Sequence, residues 1–181
     1  TWTSELGTGS EDSTMAFGKR ELKPYPLGKR IKVSRRLLRL ASAAEGIVRD
    51  RMAYKFGITL EKAAMTGSGA GQPLGVFTAS NDGIPTSRDV ATGNAATYPT
   101  LDGLIEAKYA LKGGYWQRAA WIFHRDIVKL IAKLKDGEGR PALELASTPG
   151  MPDRLLGLPL YVSEYAPNTA TSALYVGIVG D

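Results

Sequence analysis

One long helical pattern limits what this chain can fold into more than any other feature of its sequence. Apolar residues recur at three-to-five spacing from Ile47 to Ala64, and Ser42 followed by Glu45 has the pattern of a capping box. The pattern predicts a helix over about 42–65, a rod of roughly 35 Å at ~1.5 Å per residue. Such a rod is long for a chain of 181 residues, so packing against other parts must stabilise it.

The segment after this helix is rich in glycine, and shorter elements follow it. Residues 67–75 carry the glycines that end helices. Further along, Thr100 or Asp102 caps a predicted second helix that ends near Lys112. The remaining predictions are a strand over 121–123, a helix over 125–135, and strands over about 155–163 and 174–179. Helices and strands interleave without a βαβ repeat, so the sequence favours an α+β fold over a doubly wound sheet.

The N-terminal region lacks helix signals. Residues 1–30 are rich in Gly, Ser and Thr and contain Pro24 and Pro26, so we predict an extended, loop-like arm. Its scattered apolar residues are too many for a disordered tail and too few for a separate core, so the arm is expected to pack on something else. Residues 31–37 alternate between apolar and polar positions, which predicts a half-buried strand.

The composition limits the chemistry that this chain can perform. It has no cysteine and one histidine, His124, so thiolate nucleophiles, disulfides, histidine triads and multi-histidine metal sites have little to draw on. No apolar stretch approaches the roughly 18 residues of a membrane span. We therefore expect a protein that is not an enzyme, with no catalytic residue, no cofactor, no metal, no small-molecule substrate and no membrane partner.

Two short motifs suggest active sites but lack the context that such sites need. The glycines of 67–75 could suggest a phosphate-binding loop, but no Lys-Ser/Thr pair follows them, and they come after a helix instead of before one. His124-Arg125-Asp126 spells the start of a kinase catalytic loop, yet Ile131 stands where that loop has a metal-binding Asn. We interpret the first motif as a helix exit and the second as the start of a helix, with Asp126 complementing its dipole.

Basic residues are concentrated next to the arm. Between Lys19 and Arg39 the chain has nine basic residues and one acid, Glu21, whereas the net charge of the whole chain is +5. The candidates for charged contacts are Lys19, Arg20, Lys29, Arg30, Lys32, Arg35, Arg36 and Arg39. Such a run either contacts phosphates or an acidic neighbour, or forms a solvated surface.

Several motifs, kept in order over about 30–180, resemble one protein family. Val33-Ser34-Arg35 precedes the long helix, which carries Arg51, Tyr54 and Glu61 and ends at Thr66-Gly67-Ser68-Gly69-Ala70-Gly71-Gln72-Pro73-Leu74-Gly75. Ala120-Trp121-Ile122-Phe123-His124, Leu134-Lys135-Asp136 with Gly139-Arg140, and Leu155-Leu156-Gly157-Leu158-Pro159-Leu160 follow. Together they resemble the major capsid proteins of tailed double-stranded DNA phages, which have the Hong Kong ninety-seven fold.

The resemblance implies a fold and a division of the chain. Residues 1–31 are similar to the extended E-loop, 32–66 to the P-domain strand and spine helix, and 67–181 to the A-domain. Relative to the family pattern, an N-terminal arm or scaffolding segment is missing and the P-domain sheet is incomplete. We therefore expect the sequence to be a truncated chain.

The resemblance also implies a function and partners. The expected protein is a structural subunit of an icosahedral capsid that assembles in the bacterial host cytoplasm into pentamers and hexamers and encloses double-stranded DNA. Other copies of the chain, and possible DNA, portal and scaffolding proteins, are the implied partners. The candidates for inter-subunit contacts are Trp2, Phe17, Leu22, Lys23 and Tyr25.

The role of one residue and three alternative functions stay undecided at this point. In some members of the family an E-loop lysine forms an isopeptide link to an asparagine of a neighbour, and Lys23 stands where that lysine would be, unless it is an ordinary loop lysine. The alternatives are an encapsulin-type nanocompartment shell, a sequence-independent nucleic-acid-binding module, and a phosphate-using enzyme built on residues 67–75.

Overall fold

A computed structural model describes most of the chain. The described residues are 23–36, 44–80, 82–90, 98–146, 148, 150–171 and 174–181. The contacts divide the chain into Thr1–Arg30 and Ile31–Asp181. In the first unit, the described residues 23–30 form neither helix nor strand, and all of them are exposed. This agrees with the predicted extended arm over that stretch, while the rest of the arm lies outside the described residues.

The start of the second unit differs from the strand that the sequence predicted. Residues 31–34 are not in a strand, and residues 35–36 are helical, so the predicted strand over 31–37 is wrong where the structure describes it. The hydroxyl of Ser34 accepts a hydrogen bond from the backbone N–H of Arg36 at 3.2 Å, which is the bond of a helix N-cap. Alternation of apolar and polar residues leads to a strand only where a neighbouring strand provides hydrogen bonds. Here the Ser34 side chain makes a local hydrogen bond to the backbone instead.

Helix α1 comprises Ala44–Thr66, 23 residues. It ends within one residue of its predicted end, and its predicted cap, Ser42, lies outside the described residues. Most of its side chains are exposed, including those of Ile47, Tyr54 and Leu60. The long rod is therefore confirmed, and within the described residues much of its apolar surface is uncovered.

A five-stranded sheet forms the centre of the rest of the unit. The strands are β1, Ala120–Phe123; β2, Leu143–Glu144; β3, Arg154–Leu155; β4, Leu158–Val162; and β5, Gly177–Gly180. Their order is β2-β3-β4-β1-β5. Strand β1 pairs in parallel with β4 and antiparallel with β5, and the remaining neighbours pair antiparallel. The mixed sheet confirms the α+β prediction.

Two shorter helices accompany the sheet. Helix α2, Leu101–Ala110, begins at the predicted cap, because the Thr100 hydroxyl accepts from the backbone N–H of Gly103 at 3.1 Å. It ends before the predicted Lys112, and the indole of Trp116 donates to the carbonyl of Leu111 at 2.9 Å. This bond gives a donor to a carbonyl at the helix end that has no partner within the helix.

Helix α3, Arg125–Ile131, is shorter than the predicted 125–135. After Ile131 the backbone tightens, since Lys133 N–H bonds to Leu130 and Leu134 N–H to Ile131. Leu134 then accepts from Ala142, and an isolated bridge joins Lys135 to Pro141. The apolar period continues past Ile131, but these residues pair across a turn instead of extending the helix.

The predicted strand over 155–163 is two strands. Leu156 and Gly157 have φ values of 52° and 81° and connect β3 to β4. Two consecutive residues at positive φ are typical of the tightest hairpin turns. The ammonium group of Lys108 donates to the Leu156 carbonyl at 2.7 Å, which ties α2 to this turn. The last strand begins at Gly177, three residues later than predicted, and β2 was not predicted.

The core lies between the sheet and the two short helices. Its members are Leu104, Ala119, Trp121, Phe123, Ile127, Ile131, Leu143, Leu155, Leu158 and Leu160. Trp121 and Phe123 stack with ring centroids 5.5 Å apart, and the Trp121 indole donates to the Leu155 carbonyl at 3.1 Å. The core thus joins β1, β2, β3, β4, α2 and α3.

Candidate assembly surfaces

The exit of α1 is built by backbone bonds from residues further along the chain. Val76 N–H donates to the Ala64 carbonyl at 2.9 Å, and Phe77 N–H donates to the Met65 carbonyl at 3.0 Å. These carbonyls belong to the last turn of the helix, whose acceptors have no partner within the helix. The segment 67–75 therefore folds back over the helix end, and the predicted helix exit is confirmed.

Two glycines make this fold-back possible. A Cβ atom on Gly67 would overlap the carbonyl oxygens of Pro73 and Ala63, and one on Gly75 would overlap the backbone of Met65 and Gly67. The backbone segments on the two sides of the loop approach each other too closely for a side chain at either position. The glycines serve backbone packing here, and they do not form a phosphate cradle at a helix N-terminus.

The N-terminal half of α1 has an apolar face with little cover among the described residues. A shallow depression there is lined by Glu45, Val48, Arg49, Met52, Ala53 and Phe56. Val48, Met52 and Phe56 are only half-buried. This face is a candidate site for packing against another segment or another chain.

A junction near the C-terminal end of α1, close to the exit, connects it to the sheet. The hydroxyl of Ser163, the residue after β4, donates to the carboxylate of Glu61 on α1 at 2.7 Å. Ser163 is buried, and its backbone N–H donates to the Phe123 carbonyl of β1 at 3.0 Å. Because Glu61 and Ser163 are far apart in the chain, no local sequence signal predicted this contact.

The kinase-like triplet has a structural role. Nδ1 of His124 accepts from the backbone N–H of Asp126 at 3.1 Å and caps α3. The other ring nitrogen, Nε2, lies 3.7 Å from the Glu164 carboxylate. Asp126 lies in the first turn of α3, as predicted.

A tyrosine and a carboxylate connect two loops. The hydroxyl of Tyr175 donates to Oδ2 of Asp89 at 3.1 Å. Burial, this hydrogen bond and the carboxylate charge raise the pKa of Tyr175 above its ordinary value of 10.0. The Tyr175 phenol therefore stays neutral at physiological pH, and its hydrogen bond is a structural contact between the two loops.

The part of the chain that the structure describes lacks two further features. That part contains no group of three His, Cys, Asp or Glu residues placed to hold a metal ion. None of its helices is long and apolar enough to cross a membrane.

The structure places only some of the predicted contact residues. Trp2, Phe17 and Leu22 lie outside the described residues, as do Lys19, Arg20 and Arg39. Lys23 and Tyr25 are exposed on the described part of the arm. The described basic residues of the run are also exposed: Lys29, Arg30, Lys32, Arg35 and Arg36. Their roles as contact residues stay predictions.

Comparison with known proteins identifies the type of fold. The chain is similar to the capsid of an empty GTA particle, with a TM-score of 0.69 and 26% identity over 97% of this chain and 64% of that chain. It is also similar to the capsid of a native GTA particle, with a TM-score of 0.62 and 27% identity over 77% of this chain and 55% of that chain. The fold is therefore that of a capsid subunit, which confirms the predicted Hong Kong ninety-seven-like class.

The sequence comparisons identify the family. The sequence model of the Phage capsid family matches residues 1–181, and the chain belongs to this family. It is 28% identical to the major capsid protein of Escherichia phage T5 over 139 residues, which are 74% of this chain and 30% of that protein. The chain thus spans about a third of this relative and less than two thirds of the GTA capsid chains.

Proposed function

We propose that this chain is the shell-forming part of a major capsid subunit that associates with copies of itself into pentamers and hexamers. The observation that carries the proposal is the likeness to a GTA capsid subunit over 97% of the chain. The exposed apolar face of α1 and the extended residues 23–34 agree with it, since both offer surface to other copies. The role is structural, and the protein is a component of the virion.

The arm is proposed to lap over a neighbouring subunit. Tyr25, Leu27 and Ile31 are 38%, 46% and 43% exposed, although they are large apolar residues. Burying them against a neighbour would contribute about 25 cal/mol per Å² of apolar area, offset by the ordering of the arm. Trp2, Phe17 and Leu22 are proposed to add to the same contact.

Deletion of residues 1–18 should therefore weaken assembly. We expect association to weaken by at least about tenfold, or 1.4 kcal/mol, because the contact loses Trp2 and Phe17. Sedimentation velocity over a range of concentrations measures the assembled fraction, and circular dichroism checks that the helices remain. An unchanged assembled fraction would argue against the arm's role.

The basic run is proposed to face packaged double-stranded DNA. Exposed cations bind phosphates by releasing counterions, so the logarithm of affinity falls with the logarithm of salt concentration by about 0.9 for each phosphate contact. Changing Lys29, Arg30, Lys32, Arg35 and Arg36 to glutamine should weaken binding to a DNA duplex and reduce this slope. Fluorescence anisotropy at several salt concentrations measures both effects.

A control variant with the same change of net charge shows whether DNA binding depends on where the cations lie or on the total charge. The control variant changes five other exposed lysines to glutamine: Lys55, Lys62, Lys129, Lys133 and Lys135. If both variants lose the same slope, the binding depends on total charge alone and the proposed DNA-facing surface is wrong. If the basic run binds an acidic neighbour instead of DNA, the variant with glutamines in the run keeps its DNA affinity while its assembly weakens.

The other expectations differ in how much support they have. The family match and the relatives are capsid proteins, which favours a phage capsid over an encapsulin-type shell, a nucleic-acid-binding module or a phosphate-using enzyme. A strictly monomeric protein with a steep salt dependence of DNA binding would reverse this preference for the module. Portal and scaffolding partners, assembly in the host cytoplasm and a cross-link at Lys23 remain proposals.

A further inference from the structure

A side-chain contact joins α1 to the sheet side near the C-terminal end of the helix. The exit segment binds the carbonyls of Ala64 and Met65, and Ser163 binds the carboxylate of Glu61. From Glu61 back to Ala44 the helix extends about 25 Å at ~1.5 Å per residue. A rod held near one end is a lever, so a small change of angle at Glu61 becomes a large displacement at Ala44.

The sheet side of this connection is firmly held. Ser163 is 5% exposed, and its hydroxyl also accepts from the backbone N–H of Tyr165 at 3.3 Å. The backbone N–H of Ser163 also donates to the Phe123 carbonyl of β1 at 3.0 Å. The Ser163 hydroxyl is therefore a fixed donor, and the 2.7 Å bond to a carboxylate is of the stronger, charge-assisted kind.

We propose that the Glu61–Ser163 hydrogen bond is a latch that fixes the angle between α1 and the sheet. The backbone bonds at the exit join the helix end to Val76 and Phe77, and the latch joins the helix, about one turn earlier, to the residue after β4. A bond between the helix and the sheet side limits how far the helix can pivot at this point. The consequence for a shell rests on the proposed function: a closed symmetric assembly needs copies that present their surfaces at the same angles.

The absence of cysteine makes a direct test practical, because introduced cysteines are the sole labelling sites. Asp50 on α1 and Lys129 on α3 are exposed and suit the exchange to cysteine and spin labelling. A tilt of about 10° around Glu61 moves Asp50 by about 3 Å, since ~16 Å of helix separates the two residues. Pulsed electron paramagnetic resonance then measures the distance distribution between the labels.

We expect Ser163→Ala to broaden or shift this distribution by a few ångströms relative to the labelled parent chain, because the donor is lost. Glu61→Ala should have the same effect and, as an exposed site, should leave folding intact. Thr59→Ala is the matched control, since the Thr59 hydroxyl bonds to the Lys55 carbonyl within α1. Distributions for both latch variants that coincide with that of the control would overturn the latch.

The distance measurement tests the latch independently of the proposed function. It is made on dilute single chains, so it does not depend on assembly. A broadened distribution with unchanged assembly would keep the latch and contradict its consequence for the shell. If the parent chain fails to assemble at all, the distance measurement still tests the latch.

Discussion

Replacing Trp121 by alanine is expected to lower the free energy of unfolding by about 3–5 kcal/mol, which is a large share of the 5–15 kcal/mol typical of a domain. The side chain is 2% exposed, stacks on Phe123, and donates to the carbonyl of Leu155. Its loss leaves a cavity between β1 and the helices and an unpaired buried carbonyl. Urea denaturation followed by circular dichroism measures the change.

Two further variants show which part of the side chain matters. Trp121→Phe keeps much of the packing but loses the indole donor, and we expect a smaller loss of about 1–3 kcal/mol. Tyr161→Ala removes an aromatic residue that is 54% exposed on β4, and should cost no more than about 1 kcal/mol. Equal losses for Trp121→Ala and Tyr161→Ala would contradict the core described here.

Replacing Gly67 by alanine is expected to destabilise the exit of α1 by about 3 kcal/mol. The added methyl group would overlap two backbone carbonyls, those of Pro73 and Ala63, and backbone cannot move aside as a flexible side chain can. The loop must then open, and the bonds to Ala64 and Met65 are lost. Hydrogen exchange should show faster exchange at Val76 and Phe77, whose N–H groups make those bonds.

Gly57→Ala is the matched control on the same helix. No atom lies within 4 Å of the position that its Cβ would occupy, so alanine should stabilise the helix by about 0.5–1 kcal/mol. The two substitutions add the same methyl group and are expected to change stability in opposite directions. A Gly67→Ala protein as stable as the parent would show that the exit loop is not packed as described.

Local signals predicted the helices and the central strand well. The capping hydroxyl of Thr100, the apolar period of α1 and the apolar run Trp121-Ile122-Phe123 each lie within a few neighbouring residues, so the sequence contains their cause. The errors arose where a distant partner decides. Residues 31–37 have strand alternation, but a strand needs a neighbour, and α3 ends early because residues 134–136 pair with 140–142.

The surfaces were less predictable than the fold. The basic run is visible in the sequence because charge is a local property, and its described members are exposed. The Glu61–Ser163 bond was not predicted, because it joins residues whose proximity follows from the packing of the whole unit. The turn at Leu156-Gly157 was also missed, since leucine rarely adopts positive φ and gave no turn signal there.

The position of β1 in the sheet has a consequence for how the chain folds. Both neighbours of β1, the strands β4 and β5, come later in the chain. During synthesis, β1 leaves the ribosome with two unpaired edges and must wait until Gly180 has emerged before both are covered. Pairing between distant segments slows folding, and open edges promote aggregation. Expression at reduced temperature, or with a chaperone that shields apolar strands, should therefore raise the soluble yield.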